Sequence, residues 1–334
     1  MAKIFALGAT GYIGGSALHG IHAAHPAFPI TALVRSEKDD EAVSKAFGDA
    51  RIVHGSFSDL DLIKEEASKA DFVLNGADAD DLNVVKAILA GLKDRYAQDH
   101  GRKPIYLHTS GTSVIAQGKD GSFVKEAEKI FNDAHEEDIK GIPKEALHRE
   151  IDLTIFAAND EGYVDAFIIA PSNIYAKGSG PVRTRSAQIP ELIRVAAKRR
   201  KPTVPGPGTA IWNQVHVADL EELYVLVAKL ALSGKDKNGA FGRFYFGAGE
   251  ENSWGTVVEH LAPILLAKGL VDTKEIDHVT FEEEPGTSGY WRSIGTNSRS
   301  TSGRGKALGW SPREKGLVKE LEGDVDATIK EYNL

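Results

Sequence analysis

The residues best placed to do chemistry stand at the start of the chain. Gly8-Ala9-Thr10-Gly11-Tyr12-Ile13-Gly14 follows a short strand-like run, Lys3–Leu7, apolar from Ile4, and opens a helical pattern. A strand, a glycine turn and a helix in that order make an anion site. Gly8 allows a tight turn, Gly11 lets the main chain approach a pyrophosphate, and Gly14 lets the helix pack close to the strand. The free N–H groups at the helix start then face the phosphates. The spacing G-x-x-G-x-x-G, in this context, predicts a dinucleotide site. Thr10, Tyr12 and Ile13 belong to the same turn.

A second strand, Ile30–Val34, ends at Arg35-Ser36-Glu37-Lys38. An acidic residue there would hold the 2′-hydroxyl of NAD, whereas an arginine suits a 2′-phosphate. Arg35, Ser36 and Lys38 therefore favour NADP(H). Glu37 and Asp39 are the carboxylates that would instead take a ribose hydroxyl.

The elements that must position these residues alternate. Strand-like runs Lys3–Leu7, Ile30–Val34, Arg51–His54, Phe72–Leu74, Pro104–His108 and Val164–Ile169 are separated by helical patterns. Those patterns are Ile13–His25, Asp39–Phe47, Leu60–Ser68, Asp81–Asp99 and Pro143–Ala158. The alternation predicts an α/β fold built of βαβ units, with a parallel sheet covered on both faces. The second half is less regular.

Composition narrows the functions. The 334 residues include 40 Lys and Arg, 48 Asp and Glu, and no cysteine, for a net charge of −8. Thiolate catalysis, disulfides and cysteine-bound zinc or iron–sulfur clusters are excluded. An acidic chain is a poor binder of nucleic acid. No apolar stretch approaches the roughly 18–20 residues of a membrane span, so a soluble, cytoplasmic protein is expected. His19, His22 and His25 read as a helix surface, and no metal is expected. Lys198-Arg199-Arg200-Lys201 reads as a basic helix C-terminus. Trp212, Tyr175, Trp254, Tyr290 and Trp291 suggest an aromatic or apolar small-molecule substrate.

Four further segments carry a resemblance. The glycine turn, His54-Gly55-Ser56-Phe57-Ser58-Asp59, Pro171-Ser172-Asn173-Ile174-Tyr175, Val215-His216-Val217-Ala218-Asp219 and Leu308-Gly309-Trp310-Ser311-Pro312 together resemble the NAD(P)-dependent epimerase/dehydratase family, the extended and atypical short-chain dehydrogenases/reductases. The resemblance runs from residue 3 to about 315. It implies a Rossmann-like, doubly wound parallel sheet with a smaller C-terminal substrate-binding part: a cofactor domain at 1–171, with 209–232 returning to it, and a substrate part made of 172–208 and 233–334. It implies that Ser56 and Phe57 edge the adenine and that Asn75, Gly76 and Ala77 line the nicotinamide ribose. It also places Thr109 and Ser110 toward the nicotinamide and Pro171, Ser172, Asn173 and Ile174 beside its ring. A homodimer through the helices at Asp81–Asp99 and Pro143–Ala158 is a further implication.

The catalytic pattern departs from the family. Its usual Ser or Thr falls on Gly111, flanked by Ser110 and Thr112. Its Tyr-x-x-x-Lys falls on His148 and Asp152. At i and i+4 these two would share a helix face, the carboxylate orienting the imidazole for general acid–base work. Ser110 or Thr112 would hold the substrate oxygen. The bland alternative is a surface ion pair worth about 0.3–0.5 kcal/mol. Three functions compete: an NADP(H)-dependent reductase of a carbonyl or conjugated small molecule, a non-redox isomerase, cyclase or dehydratase on the same scaffold, and a non-catalytic NADP-binding regulator.

Overall fold

A computed structural model describes residues 1–99 and 102–334. The first half alternates β1 Ile4–Leu7, α1 Tyr12–Ala24, β2 Ile30–Val34, α2 Asp40–Ala46, β3 Arg51–His54, α3 Leu60–Ser68, β4 Phe72–Asn75, α4 Leu82–Gln98 and β5 Ile105–Thr109. Then follow β6 Phe131–Asn132, α5 Glu136–Lys140, α6 Arg149–Glu161, β7 Asp165–Pro171 and β8 Asn173–Tyr175. The remainder comprises α7 Gln188–Arg199, β9 Thr203–Pro205, β10 Ile211–His216, α8 Val217–Ser233, β11 Phe244–Gly247 and β12 Glu250–Ser253. It closes with α9 Trp254–Ala267, β13 Asp277–Val279, α10 Tyr290–Ile294, β14 Ser300–Thr301, α11 Gly303–Ala307 and α12 Leu317–Tyr332.

Seven parallel strands form the main sheet in the order β11-β7-β5-β4-β1-β2-β3. Parallel strands need both faces covered, which is why they read as nearly unbroken apolar runs. One face, with Ile4, Leu74, Leu107 and Ile169, packs under α1 and α8. The other, with Phe5, Val73, Tyr106 and Ile168, packs under α4 and α6. Strand order reverses between β1 and β4, and ligands in such sheets bind at the C-terminal edge beside that reversal. The loops carrying Gly8, Arg35, Gly76, Ser110 and Ser172 all leave from that edge.

Two boundaries differ from the sequence expectation. Helix α6 starts at Arg149, not Pro143; residues 143–148 form turns, closed by Ala146 N–H to Pro143 O and Arg149 N–H to Ala146 O. A proline at the start of an apolar pattern does not by itself start a helix. Strand β11 comes from the 233–334 segment yet pairs with β7 in the large sheet, so that segment does not lie wholly outside the cofactor sheet.

The aromatic residues also redistribute. Tyr175, Trp212, Trp254 and Trp291 are core residues, and only Tyr290 is exposed. Their burial removes the observation that suggested an aromatic or apolar substrate. Of the basic run, Lys198, Arg199 and Arg200 pair with Glu284, Asp277 and Asp272, which neutralises the patch. Among the described residues no helix is long and apolar enough to cross a membrane.

Candidate active site

The glycine turn is built as its spacing requires. Gly8 has φ +85°, a left-handed conformation that glycine adopts without cost. A Cβ on Gly14 would stand 2.5 Å from the Gly8 carbonyl oxygen and 2.7 Å from that of Gly76. The ends of β1 and β4 and the start of α1 thus meet with no room for a side chain. Gly11 precedes α1 and supplies no side-chain cap, so the helix N-terminus remains open to an anion. Gly14→Ala is expected to lower the melting temperature and abolish dinucleotide binding in a fluorescence titration. Backbone must move to admit the methyl, and forced overpacking costs about 1–3 kcal/mol.

The remaining expected cofactor residues lie at the same edge, with differing freedom. Thr10 O accepts from Arg183 N–H, and the Tyr12 hydroxyl reaches the carbonyls of Tyr175 and Ala176, fastening the turn to the chain beyond β8. Ile13 is partly exposed beside it. Arg35 and Lys38 are exposed, Ser36 is partly so, and none of the three side chains has a hydrogen-bond or ion-pair partner among the described residues. The Ser56 hydroxyl and N–H are both taken by Asp59, and Phe57 follows, partly buried. Asn75 Oδ1 accepts from Ala77 N–H across Gly76. The Thr109 hydroxyl is turned to the opposite face, where it bonds Tyr224 at 2.7 Å. Pro171, Ser172, Asn173 and Ile174 are buried, and Ser172 is fixed by Gly247 O.

The His148–Asp152 side-chain pair does not form. His148 is the residue before α6, with φ +68°, so the helical i, i+4 geometry never applies to it. It meets Asp152 only through the backbone, Asp152 N–H donating to His148 O at 3.1 Å. The His148 imidazole turns instead to Asp80, with Nδ1 2.6 Å from Oδ1. A left-handed non-glycine residue costs of order 1–3 kcal/mol and tends to persist at functional sites. On its other side, Nε2 would lie 3.0 Å from a Cβ at Gly111. The residue that lacks the family's hydroxyl is the one that leaves space for the ring.

Asp152 is no surface ion either. It is wholly buried, and burial pushes its carboxyl up to about 7. The Ser110 hydroxyl and the charges of Arg149 and His148 offset part of that shift. Ser110 faces it without closing a regular hydrogen bond, and both Asp152 oxygens and Ser110 Oγ are unpartnered. Arg149 points away from Asp152: its Nη2 donates to Ile139 O, and its guanidinium lies over Phe156 and Phe241. A carboxyl raised in the folded state binds a proton there that the unfolded chain has released. Its stabilising effect is complete below pH 4 and is lost as pH rises through 7. Asp152→Asn should therefore raise the melting temperature more at pH 8 than at pH 4. Asp133, pushed by burial up to about 6, adds a smaller decline with pH, and buried His108, pushed down to about 3, adds a rise; both act equally in the two proteins, so their difference isolates Asp152.

Three residues of the site carry no signal that the sequence reading used. Asp80 stands in the acidic loop Asp78–Asp81; Asp78 accepts from Asp80 N–H, and Asp81 caps α4. Tyr106 and His108 are buried on β5, on the face covered by α4 and α6. Asn75 Nδ2 and the Tyr106 hydroxyl both reach His108 Nδ1, at 3.3 and 3.1 Å. Asn75 is oriented by its bond from Ala77 N–H, so its nitrogen is the donor and His108 Nδ1 must accept. His108 is therefore neutral and carries its proton on Nε2; burial and the nearby His148 push its pKa down to about 3.

Buried polar atoms without partners gather where these strands end: His108 Nε2, Ser110 Oγ, Thr112 Oγ1, both oxygens of Asp152 and the whole amide of Asn173. Native interiors satisfy such groups, so this cluster fits a site completed by a polar ligand. Together with the open helix N-terminus, these residues suit a dinucleotide with a small oxygen-bearing substrate.

Known proteins agree with this architecture. The profile of the NAD dependent epimerase/dehydratase family matches residues 146–239. An oxidase from Acremonium sp. is 30% identical over 99% of both chains. An uncharacterised Saccharomyces cerevisiae protein is 23% identical over 96% of this chain and 98% of its own. Among solved structures, a dTDP-glucose 4,6-dehydratase from Bacillus anthracis in complex with NAD superposes with a TM-score of 0.66 at 17% identity, covering 100% of this chain and 98% of its own. The UDP-glucuronic acid 4-epimerase of Bacillus cereus, in complex with UDP-glucuronic acid and NAD, gives 0.66 at 14% identity, covering 99% and 100%. The sheet order, the glycine turn and the full-length relative agree: the chain belongs to the NAD-dependent epimerase/dehydratase family.

Proposed function

We propose that the protein is an NADP(H)-dependent oxidoreductase that interconverts a carbonyl or conjugated small molecule and its reduced form, with His148 as the acid–base group. The observation that carries this reading is the His148 imidazole itself. One ring nitrogen is tied to a carboxylate, and the other faces the space above Gly111, at the sheet edge that also bears the glycine turn. The oxidase that is similar over its whole length supports the redox class.

The turn Gly8–Gly14 would hold the pyrophosphate, Arg35, Ser36 and Lys38 the 2′-phosphate, and Asn75–Ala77 the nicotinamide ribose. A bound nicotinamide supplies or takes the hydride. His148 moves the proton at the substrate oxygen through Nε2. Ser110 or Thr112, each with a free hydroxyl, orients that oxygen. With its carboxyl raised to about 7, Asp152 is protonated in weakly acid solution and about half-protonated at neutral pH, so it brings no full negative charge beneath the reacting centre.

The test is a spectrophotometric assay at the nicotinamide band, run in both directions with a panel of ketones, enones and aromatic alcohols. Net cofactor turnover is the expected result. Product formed without net turnover would replace this reading with a non-redox isomerase or dehydratase. Tight cofactor binding with neither would leave a cofactor-binding regulator.

A further inference from the structure

We propose that Asp80 is the positioning residue of the site: it fixes His148 as the Nδ1–H tautomer and aims a bare Nε2 into the space that Gly111 leaves, so one imidazole fills the place of a missing hydroxyl and also handles the proton. The inference rests on the reading of His148 given above, and it concerns a different residue and a different observable.

Asp80 Oδ1 lies 2.6 Å from His148 Nδ1, within charge-assisted hydrogen-bond range. The imidazole beside it holds the Asp80 carboxyl below the usual carboxylate range, so Asp80 stays ionised and can only accept. Nδ1 must then carry the hydrogen, and Nε2 keeps its lone pair in the neutral ring. The other ionisable groups around this ring are His108 and Asp152. His108 is fixed in the opposite tautomer by Asn75 and Tyr106 and adds no charge. Asp152 is buried beneath the next turn and reaches His148 only through its N–H.

Gly111 completes the argument. A side chain there would press on Nε2 at 3.0 Å, so a hydroxyl residue at that position and this histidine rotamer exclude one another. Asp80 itself is half-exposed in a loop, and its replacement leaves the core untouched.

The experiment is two-bond proton–nitrogen NMR on protein labelled with 15N-histidine, without substrate, above the pH at which exposed histidines titrate. Signals lost in His148→Gln identify the residue. Wild-type protein should show the Nδ1–H pattern for His148, and Asp80→Ala should convert it toward Nε2–H. Gly111→Ser should move the His148 ring resonances. Asp80→Ala should also lower kcat about tenfold or more, with the cofactor dissociation constant and melting temperature unchanged. An Nδ1–H pattern that survives in both Asp80→Ala and Asp80→Asn overturns the proposal, whatever His148 does in catalysis. Loss of turnover in His148 variants is read separately, by activity, so the two failures are distinguishable.

Discussion

Replacing His148 with asparagine is expected to lower turnover about a hundred- to ten-thousandfold, the usual contribution of a general acid or base, while leaving cofactor affinity unchanged. Asparagine is the informative choice because the residue has φ +68°. Alanine resists the left-handed region, whereas asparagine enters it readily, so the turn into α6 survives and the imidazole alone is lost. The carbonyl of residue 148, which accepts from Ile151 and Asp152 N–H, is also preserved. The measurements are steady-state rates with an active substrate and a fluorescence titration with NADP+. A rate equal to wild type would remove His148 from the mechanism. A fall in cofactor affinity would reassign it to binding.

How far the sequence exposed this site can be judged from particular residues. The glycine turn was legible because its constraints are local: Gly8 needs its backbone angle, and Gly14 must lie against Gly8 and Gly76. Strands β1, β2, β4 and β5 were legible because parallel strands buried on both faces leave short apolar runs between amphipathic helices, whereas β3, half-exposed at the edge of the sheet, keeps only Ile52 and Val53 of that pattern. The position of His148 was legible from its register with the family's Tyr-x-x-x-Lys, but its partner was not. Counting i to i+4 assumes that both residues are helical, and His148 is the residue before the helix. Asp80 lies 68 residues away, brought near because α4 and α6, whose starts the two residues precede, pack together on one face of the sheet. The same holds for His108, whose tautomer depends on Asn75 from the adjacent strand. Pairings across strands are set by sheet order, and a linear pattern does not record them. The aromatic residues misled for a related reason: a tryptophan near a cleft in sequence is as readily a core residue as a wall.

Arg35→Ala is expected to weaken NADP+ about ten- to hundredfold while changing NAD+ little. A hydrogen bond to a charged group contributes about 1.5–3 kcal/mol, and every 1.4 kcal/mol is tenfold in affinity. Arg35 leaves the end of β2 beside the glycine turn, because β2 pairs with β1. Its guanidinium is exposed and has no protein partner among the described residues, so it is free to meet a 2′-phosphate without first breaking an ion pair. The charge on that phosphate also predicts a salt effect. At an exposed site the attraction is screened over a Debye length of about 8–10 Å near physiological ionic strength, so added salt should weaken NADP+ more than NAD+ in the wild-type protein, and by a smaller margin in the variant, where Lys38 remains. Glu37 and Asp39 follow in the short turn before α2. Were either the ribose partner, its replacement by alanine would weaken NAD+ and the Arg35 variant would show no preference. Calorimetric titration of both dinucleotides at two salt concentrations separates the cases, and an equal loss for NADP+ and NAD+ in Arg35→Ala would contradict the 2′-phosphate assignment.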